Sequence, residues 1–154
     1  MAWYTNPMEI KRNKKAYFNY HILDTYDAGI VLSGAEVKSV KEGLVNLEGS
    51  YVDIRNRRVW LKGVRIAPYP KSGNDQKHYR PDRERALLLT RKEIGKLAGA
   101  VGASGLTIVP LSVYSSRRLI KIKIALARGK RKFDKREAIK ERELKRRIKT
   151  RLND

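Results

Sequence analysis

The sequence predicts a mainly β domain with short helices, its antiparallel strands closing into a small barrel, followed by a basic C-terminal tail. Three observations carry this. Runs rich in β-branched and aromatic residues recur between turn signals. The run RLIKIKIALA, Arg118 to Ala127, alternates with period two, setting Ile120, Ile122 and Ile124 inward and Lys121 and Lys123 outward. The last 27 residues, 128–154, hold thirteen Lys or Arg against five Asp or Glu, +8 of the formal +20, with too few apolar residues to build a core.

In chain order, residues 1–12 read as a flexible leader whose Trp3 and Tyr4 have no assigned role, 13–127 as the barrel and 128–154 as the tail. Tyr17 to Tyr26 (YFNYHILDTY) reads as a strand, broken at Ala28-Gly29 and resumed at Ile30. Ser33 and Glu36 fit a capping box opening a short helix with Val37 and Val40 on one face, and Gly43 stops it. Tyr51–Arg55 and Val59–Ile66 flank the turn-like pair Asn56-Arg57 as a hairpin. Residues 70–85 form a polar loop long enough to suggest function. Leu87, Leu88 and Leu89 read as buried. Thr90 and Glu93 open a second helix, with Ile94, Leu97, Ala98 and Val101 on the core side. Leu106–Tyr114 is a strand, Ser115-Ser116-Arg117 a turn, and Arg118–Ala127 the closing strand. Closure removes exposed sheet edges, which favours an OB-type barrel of five or six strands; a sandwich or an open α+β sheet is the alternative.

The 154 residues suit one domain plus a tail, and the 41% hydrophobic content, concentrated between Tyr17 and Ala127, is enough for a core. The absence of cysteine rules out thiol catalysis, disulfides and Cys-based zinc sites and fits a reducing cytoplasm, where the chain is expected to work. The two histidines, His21 and His78, are far apart, so no metal or other cofactor is expected. No secretory-type leader and no run approaching ~18 apolar residues is visible, so no membrane partner is expected. The acids are scattered, and Gly129-Lys130 lacks the spacing and the following Ser or Thr of a phosphate loop, so the chain reads as a binder and not an enzyme.

A charge of +20 lies far beyond the magnitude of ~2–8 that keeps a small domain soluble, and it points to an acidic polymer, with ribosome-scale RNA first. Lys121 and Lys123 project from one strand face ~7 Å apart, near the phosphate repeat of a nucleic acid strand. With Asn13, Lys14, Lys15, Lys38, Lys41, Arg83, Arg85 and the tail they make a distributed cationic surface. Tyr17, Phe18, Tyr20, Tyr51 and Tyr79 are candidates for stacking on bases. In the tail, Leu144, Ile148 and Leu152 recur at i, i+4, i+8, and Glu141–Lys145 and Glu143–Arg147 are favourable pairs of ~0.2–0.5 kcal/mol each. Repulsion among the cations opposes them, so the tail is expected to be disordered when free and helical when RNA neutralises it.

An ordered series of motifs runs through this pattern: Asn13-Lys14-Lys15-Ala16, Asp24-Thr25-Tyr26-Asp27-Ala28-Gly29-Ile30, Gly34-Ala35-Glu36-Val37-Lys38-Ser39, Ile66-Ala67-Pro68-Tyr69, Leu87-Leu88-Leu89, Val109-Pro110-Leu111, Tyr114, Ala125 to Arg131, Asp134-Lys135-Arg136 and Lys140-Glu141-Arg142. Over about residues 10–145 it resembles the SsrA-binding, or small protein B, family of bacteria. The resemblance implies an OB-like barrel that binds the tRNA-like domain of transfer-messenger RNA near its elbow. It also implies entry into stalled ribosomes with elongation factor Tu and GTP, reached through the RNA, and a tail that meets 16S rRNA at the decoding centre and the empty mRNA channel. The chain is expected to act as a monomer without catalysis of its own. Residue by residue, the resemblance assigns Asp27, Leu88 and Thr90 to RNA contact, although Asn or His is usual where Thr90 stands and Thr90 also serves as a helix cap. Tyr20 and Tyr51 match aromatic positions. Gly129 permits the turn into the tail, Phe133 stands where stacking in the decoding centre is expected, and Lys130, Arg131, Lys132, Asp134, Lys135, Arg136 and Lys140 belong to the ribosome-probing segment. A structural ribosomal protein binding rRNA is the alternative reading.

Overall fold

The computed structural model describes residues 8–71, 76–102 and 105–152. Its elements are β1 Met8–Arg12, α1 Lys14–Asn19, β2 Tyr20–Ile30, α2 Gly34–Lys41, β3 Val45–Asn46, β4 Tyr51–Arg55, β5 Arg58–Lys62, β6 Arg65–Ile66, β7 Arg85–Leu88, α3 Arg91–Val101, β8 Leu106–Ser116, β9 Leu119–Gly129 and α4 Lys132–Leu152. Seven strands form one antiparallel sheet in the order β1-β8-β4-β5-β7-β2-β9, and β9 also pairs with β8, so the ladder returns on itself; β3 and β6 pair separately.

Several sequence expectations need correction. The leader is a strand from Met8 onward, with Met8 opposite Ser115 and Arg12 opposite Ser112; residues 1–7, with Trp3 and Tyr4, lie outside the described residues. The strand expected from Tyr17 begins only at Tyr20. The Asn13 side chain accepts from the Ala16 backbone N–H at 3.3 Å and caps a helical turn over 14–19, a local hydrogen bond that overrides the β-favouring aromatics. Ala28-Gly29 does not break β2, because Gly29 is paired on both sides, to Lys121 and to Leu88. The run Val59–Ile66 splits at Gly63, whose φ of +80° suits glycine, and β6 leaves to pair with β3. The last hairpin turns at Arg117-Arg118, both at positive φ, while Ser115 and Ser116 stay in the ladder.

Both capping boxes form as expected, at Ser33/Glu36 and Thr90/Glu93. The core follows the alternation: Ile120 is 7% exposed, and Ile122 and Ile124 are fully buried, with Leu61, Ile66, Leu97 and Ile108 beside them. On the opposite face of the same strand Ala125 and Ala127 are also buried, with Val109, Leu111 and Ala16 of α1. The small side chains of Ala125 and Ala127 let α1 lie close over this face, with Ala16 packed against them. β7 splits the leucine run by strand parity: Leu87 is 4% exposed but Leu88 is 62% exposed, so Leu88 is not buried.

Asn56 and Arg57 sit at φ 50° and 64°, the conformation of a two-residue turn whose second position favours glycine. Arg57→Gly is therefore expected to raise unfolding stability by about 0.5–1 kcal/mol, read as a shifted urea midpoint with unchanged slope.

Candidate RNA interface

The returning ladder places three functional candidates on one outer wall. In β2–β9 pairing, Asp27 stands opposite Lys123 and Gly29 opposite Lys121; in β8–β9 pairing, Tyr114 stands opposite Lys121. Tyr114 donates to the exposed Asp27 carboxylate at 2.7 Å. Burial, and then this bond, push the Tyr114 hydroxyl well above its ordinary range, so it stays a donor at working pH. Leu88 lies over Gly29: a Cβ at residue 29 would come within 3.3 Å of the Leu88 Cβ, so glycine here leaves room for that exposed leucine. The wall thus offers an apolar knob, two ammonium groups and a carboxylate oriented by one phenol. Its spare acceptor positions can receive amino or ribose hydroxyl donors of a folded RNA.

Thr90 is exposed, but its hydroxyl is used twice within the cap, accepting from the Glu93 backbone at 3.2 Å and donating to the Glu93 carboxylate at 2.9 Å. A second cluster is a cleft of about 530 Å³ lined by Lys15, Tyr20 and Tyr51 among others. Lys15 pairs with Glu48 there at 3.3 Å, and Tyr51 is 46% exposed. Lys14 is exposed beside it on α1.

Other expected contacts are part of the scaffold. Asn13 is 4% exposed, and its amide donates to the Leu47 and Pro110 carbonyls at 3.2 and 2.9 Å, tying α1 to the sheet. Arg85 is fully buried, not a surface cation, and donates to Glu36 at 2.7 and 3.0 Å, to the Val64 carbonyl at 2.8 Å and to the Pro81 carbonyl at 2.9 Å. Arg83 bonds the other Glu36 oxygen. The Tyr79 hydroxyl lies 2.9 Å from the Ile66 carbonyl and 3.1 Å from Glu36, so this half-buried ring serves the same network. Burial alone would raise the Glu36 pKa, but the bonds from Arg83, the Ser33 backbone and Arg85 hold it down at about 2. Tyr17 carries the Arg12 guanidinium over its ring at 4.4 Å. Lys38 and Lys41 are exposed on α2, which packs against β6.

The tail leaves the sheet through a fastened hinge. The Lys130 backbone N–H donates to the Asn19 carbonyl at 2.8 Å. Asp134, in the first turn of α4, accepts from the Arg131 backbone at 3.3 Å and lies 3.2 Å from the His21 ring nitrogen. The His21 contact, then the backbone bond, lower its pKa. Beyond the hinge α4 has no buried residue; Phe133 is 71% exposed, and Lys132, Lys135, Arg136 and Lys140 are presented to solvent or half-exposed along it.

The SmpB protein family matches residues 10–154. The chain belongs to the SmpB family. An SsrA-binding protein of Trichodesmium erythraeum (strain IMS101) is 53% identical over 137 residues, spanning 89% of this chain and 87% of that one. The SsrA-binding protein of Persephonella marina (strain DSM 14350 / EX-H1) is 51% identical, spanning 90% of each. A solved structure described as "tmRNA-SmpB: a journey to the center of the bacterial ribosome" is similar at a TM-score of 0.66 and 41% identity, over 84% of this chain and 93% of that one. Membership of the SmpB family displaces the alternative of a structural ribosomal protein.

Set in the SmpB family, the residues that sequence reasoning missed are partners of ones it named. His21 has no partner near it in sequence, and its contact lies 113 positions away. Tyr114 was one point in a motif series, and its bond to Asp27 needs β8, β9 and β2 in register. The parity of RLIKIKIALA already set Lys121 and Lys123 on one face; placing Asp27 beside them required the pairing partner.

Proposed function

We propose that this chain binds the tRNA-like domain of transfer-messenger RNA and helps deliver it to stalled ribosomes for trans-translation, with the tail probing the decoding centre and the empty mRNA channel. The observation that carries this is the family membership over nearly the whole chain, since the relatives are named for binding SsrA and the solved relative is a tmRNA complex of the bacterial ribosome. The six-strand cycle is read as an OB-like closed barrel, with the leader strand β1 added at β8 and the domain running to residue 127 before the tail. Asp27, Lys121, Lys123 and Leu88 form the surface for the tRNA-like domain, with Lys14, Lys15 and Tyr20 at a second cationic, aromatic edge. Thr90 acts mainly through the α3 cap. Elongation factor Tu with GTP reaches the assembly through the RNA. The chain works in the cytoplasm as a monomer and contributes binding, not catalysis.

The tail folds fully only on RNA. Its helix is supported by weak pairs and by no core contact, and its own cations oppose it until phosphates neutralise them. A 128–154 peptide is therefore expected to show little helix in buffer by circular dichroism and to gain it on polyanion addition; a stable helix in buffer alone would refute the disorder.

At physiological salt the full chain is expected to bind transfer-messenger RNA at least ~100-fold more tightly than an unrelated structured RNA of equal length. Asp27→Ala should lower that preference by ~10-fold, about 1.4 kcal/mol, with no change in thermal unfolding. Equal affinity for the two RNAs would overturn the function; an unaffected Asp27→Ala would remove Asp27 from the interface.

A further inference from the structure

The turn Asn56-Arg57 and helix α3 enclose a groove of about 700 Å³ that no RNA-facing residue above enters. Ile54, Ile94 and Ala98 supply an aliphatic floor, and Arg57, Arg58 and Arg91 stand around it. The floor follows from the apolar stripe of α3: Leu97 is fully buried in the core, which leaves Ile94 half-buried and Ala98 exposed at its edge.

The three arginines differ from others in the domain. Arg55 is paired with Asp53 and Glu84, and Arg83 and Arg85 with Glu36. Among the described residues, no carboxylate lies within 4.0 Å of the guanidinium of Arg57, Arg58 or Arg91. Arg57 also holds its place at φ 64°, where glycine would be the relaxed choice. Three unneutralised guanidinium forks around an apolar floor complement a ligand that carries both carboxylates and an apolar group.

We propose that this groove docks a short acidic peptide segment of a partner protein, seating one Leu- or Phe-sized side chain on Ile54, Ile94 and Ala98 and its flanking carboxylates between Arg57, Arg58 and Arg91. A nucleic acid backbone satisfies the charges but has nothing to cover the aliphatic floor, and the groove's lining contains no aromatic ring on which a base could stack. Trp60 lines an adjoining cleft that shares Asn56 and Arg58 with the groove, and there the Arg55 guanidinium covers its ring at 5.5 Å from the centre. One apolar anchor and three solvent-facing ion pairs make a weak contact once the cost of association is subtracted. Such a contact suits a transient meeting and is independent of the RNA reading.

The test uses the full chain, methyl-labelled for NMR, and three probes: an amidated heptapeptide of Glu and Asp around a central Phe, the same peptide with Gly at the centre, and an RNA oligonucleotide of equal charge. The Phe peptide is expected to move the methyl signals of Ile54, Ile94 and Ala98 and to bind at least ~10-fold more tightly than the Gly peptide. Arg57→Gly, which relaxes the turn, and Ala98→Trp, which fills the groove, should each weaken it by at least ~5-fold while transfer-messenger RNA affinity is unchanged. If Ala98→Trp fails to fold, Arg57→Gly and Arg91→Ala decide. Equal binding of the two peptides would reduce the groove to a counter-ion site and overturn the proposal. So would displacement of those methyl signals by the oligonucleotide at lower concentration than the Phe peptide, or indifference to the arginine substitutions.

Discussion

Glu36→Ala is expected to cost about 3–5 kcal/mol of unfolding stability, a large share of what a domain this size has in reserve. The carboxylate is 1% exposed and Arg85 is fully buried beside it. Removing Glu36 leaves a guanidinium with no counter-charge in the core and also opens the Ser33 cap. Arg85→Met alone should cost less, because Arg83, the Ser33 backbone N–H and the Tyr79 hydroxyl still bond the carboxylate. The double variant should lose clearly less than the sum of the two, since neither charge is then left alone. Additive losses in urea denaturation would show that the pair is not coupled. The pH dependence has a definite sign. Glu36 is lowered from the ordinary 4.5 to about 2, so its contribution is complete above pH 4.5 and is lost as pH falls through about 2. Integrated over that window the shift corresponds to about 3 kcal/mol, and Glu36→Gln should flatten the acid limb of the stability curve.

A chain ending at residue 129 is expected to keep transfer-messenger RNA binding within ~10-fold at physiological salt, while tagging on stalled ribosomes falls by at least ~100-fold. Since α4 has no buried residue, its removal leaves both core clusters intact, and thermal unfolding should not move. The salt slope of RNA binding should fall only by the few tail cations that touch RNA outside the ribosome. If most of the RNA affinity disappears with the tail, the wall around Asp27 is not the specific surface and the protein grips RNA chiefly as a polycation.

What could be read in the sequence was what is decided within a few residues. Ser33 and Glu36, or Thr90 and Glu93, satisfy each other three positions apart, so both helices were visible. The hairpin at Asn56-Arg57 and the parity of Ile120, Ile122 and Ile124 are equally local. What escaped depends on distant partners. Tyr17 to Asn19 has strand composition, and only the bond from Asn13 and the shelter of Ala125 and Ala127 make it helical. Arg85 counts as a surface cation until its carboxylate, 49 positions earlier, is folded against it. Three consecutive leucines look alike until strand pairing turns Leu87 inward and Leu88 out. The wall was half legible: the lysine parity was there, but Tyr114 beside Asp27 needs β8 and β2 paired on either side of β9.

The hinge at Lys130 has a geometric consequence for the tail. A helix of 21 residues is about 30 Å long, so α4 is a lever whose fulcrum is the short span held by the Asn19 carbonyl and the His21–Asp134 contact. Tilting it by about 10° swings the far end by about 5 Å, nearly the width of one nucleotide step along a strand. Once α4 has folded on RNA as proposed above, the two attachments beside α1 are expected to set its direction, and His21→Ala, which loosens them, is expected to spread the positions its tip reaches without altering any residue there.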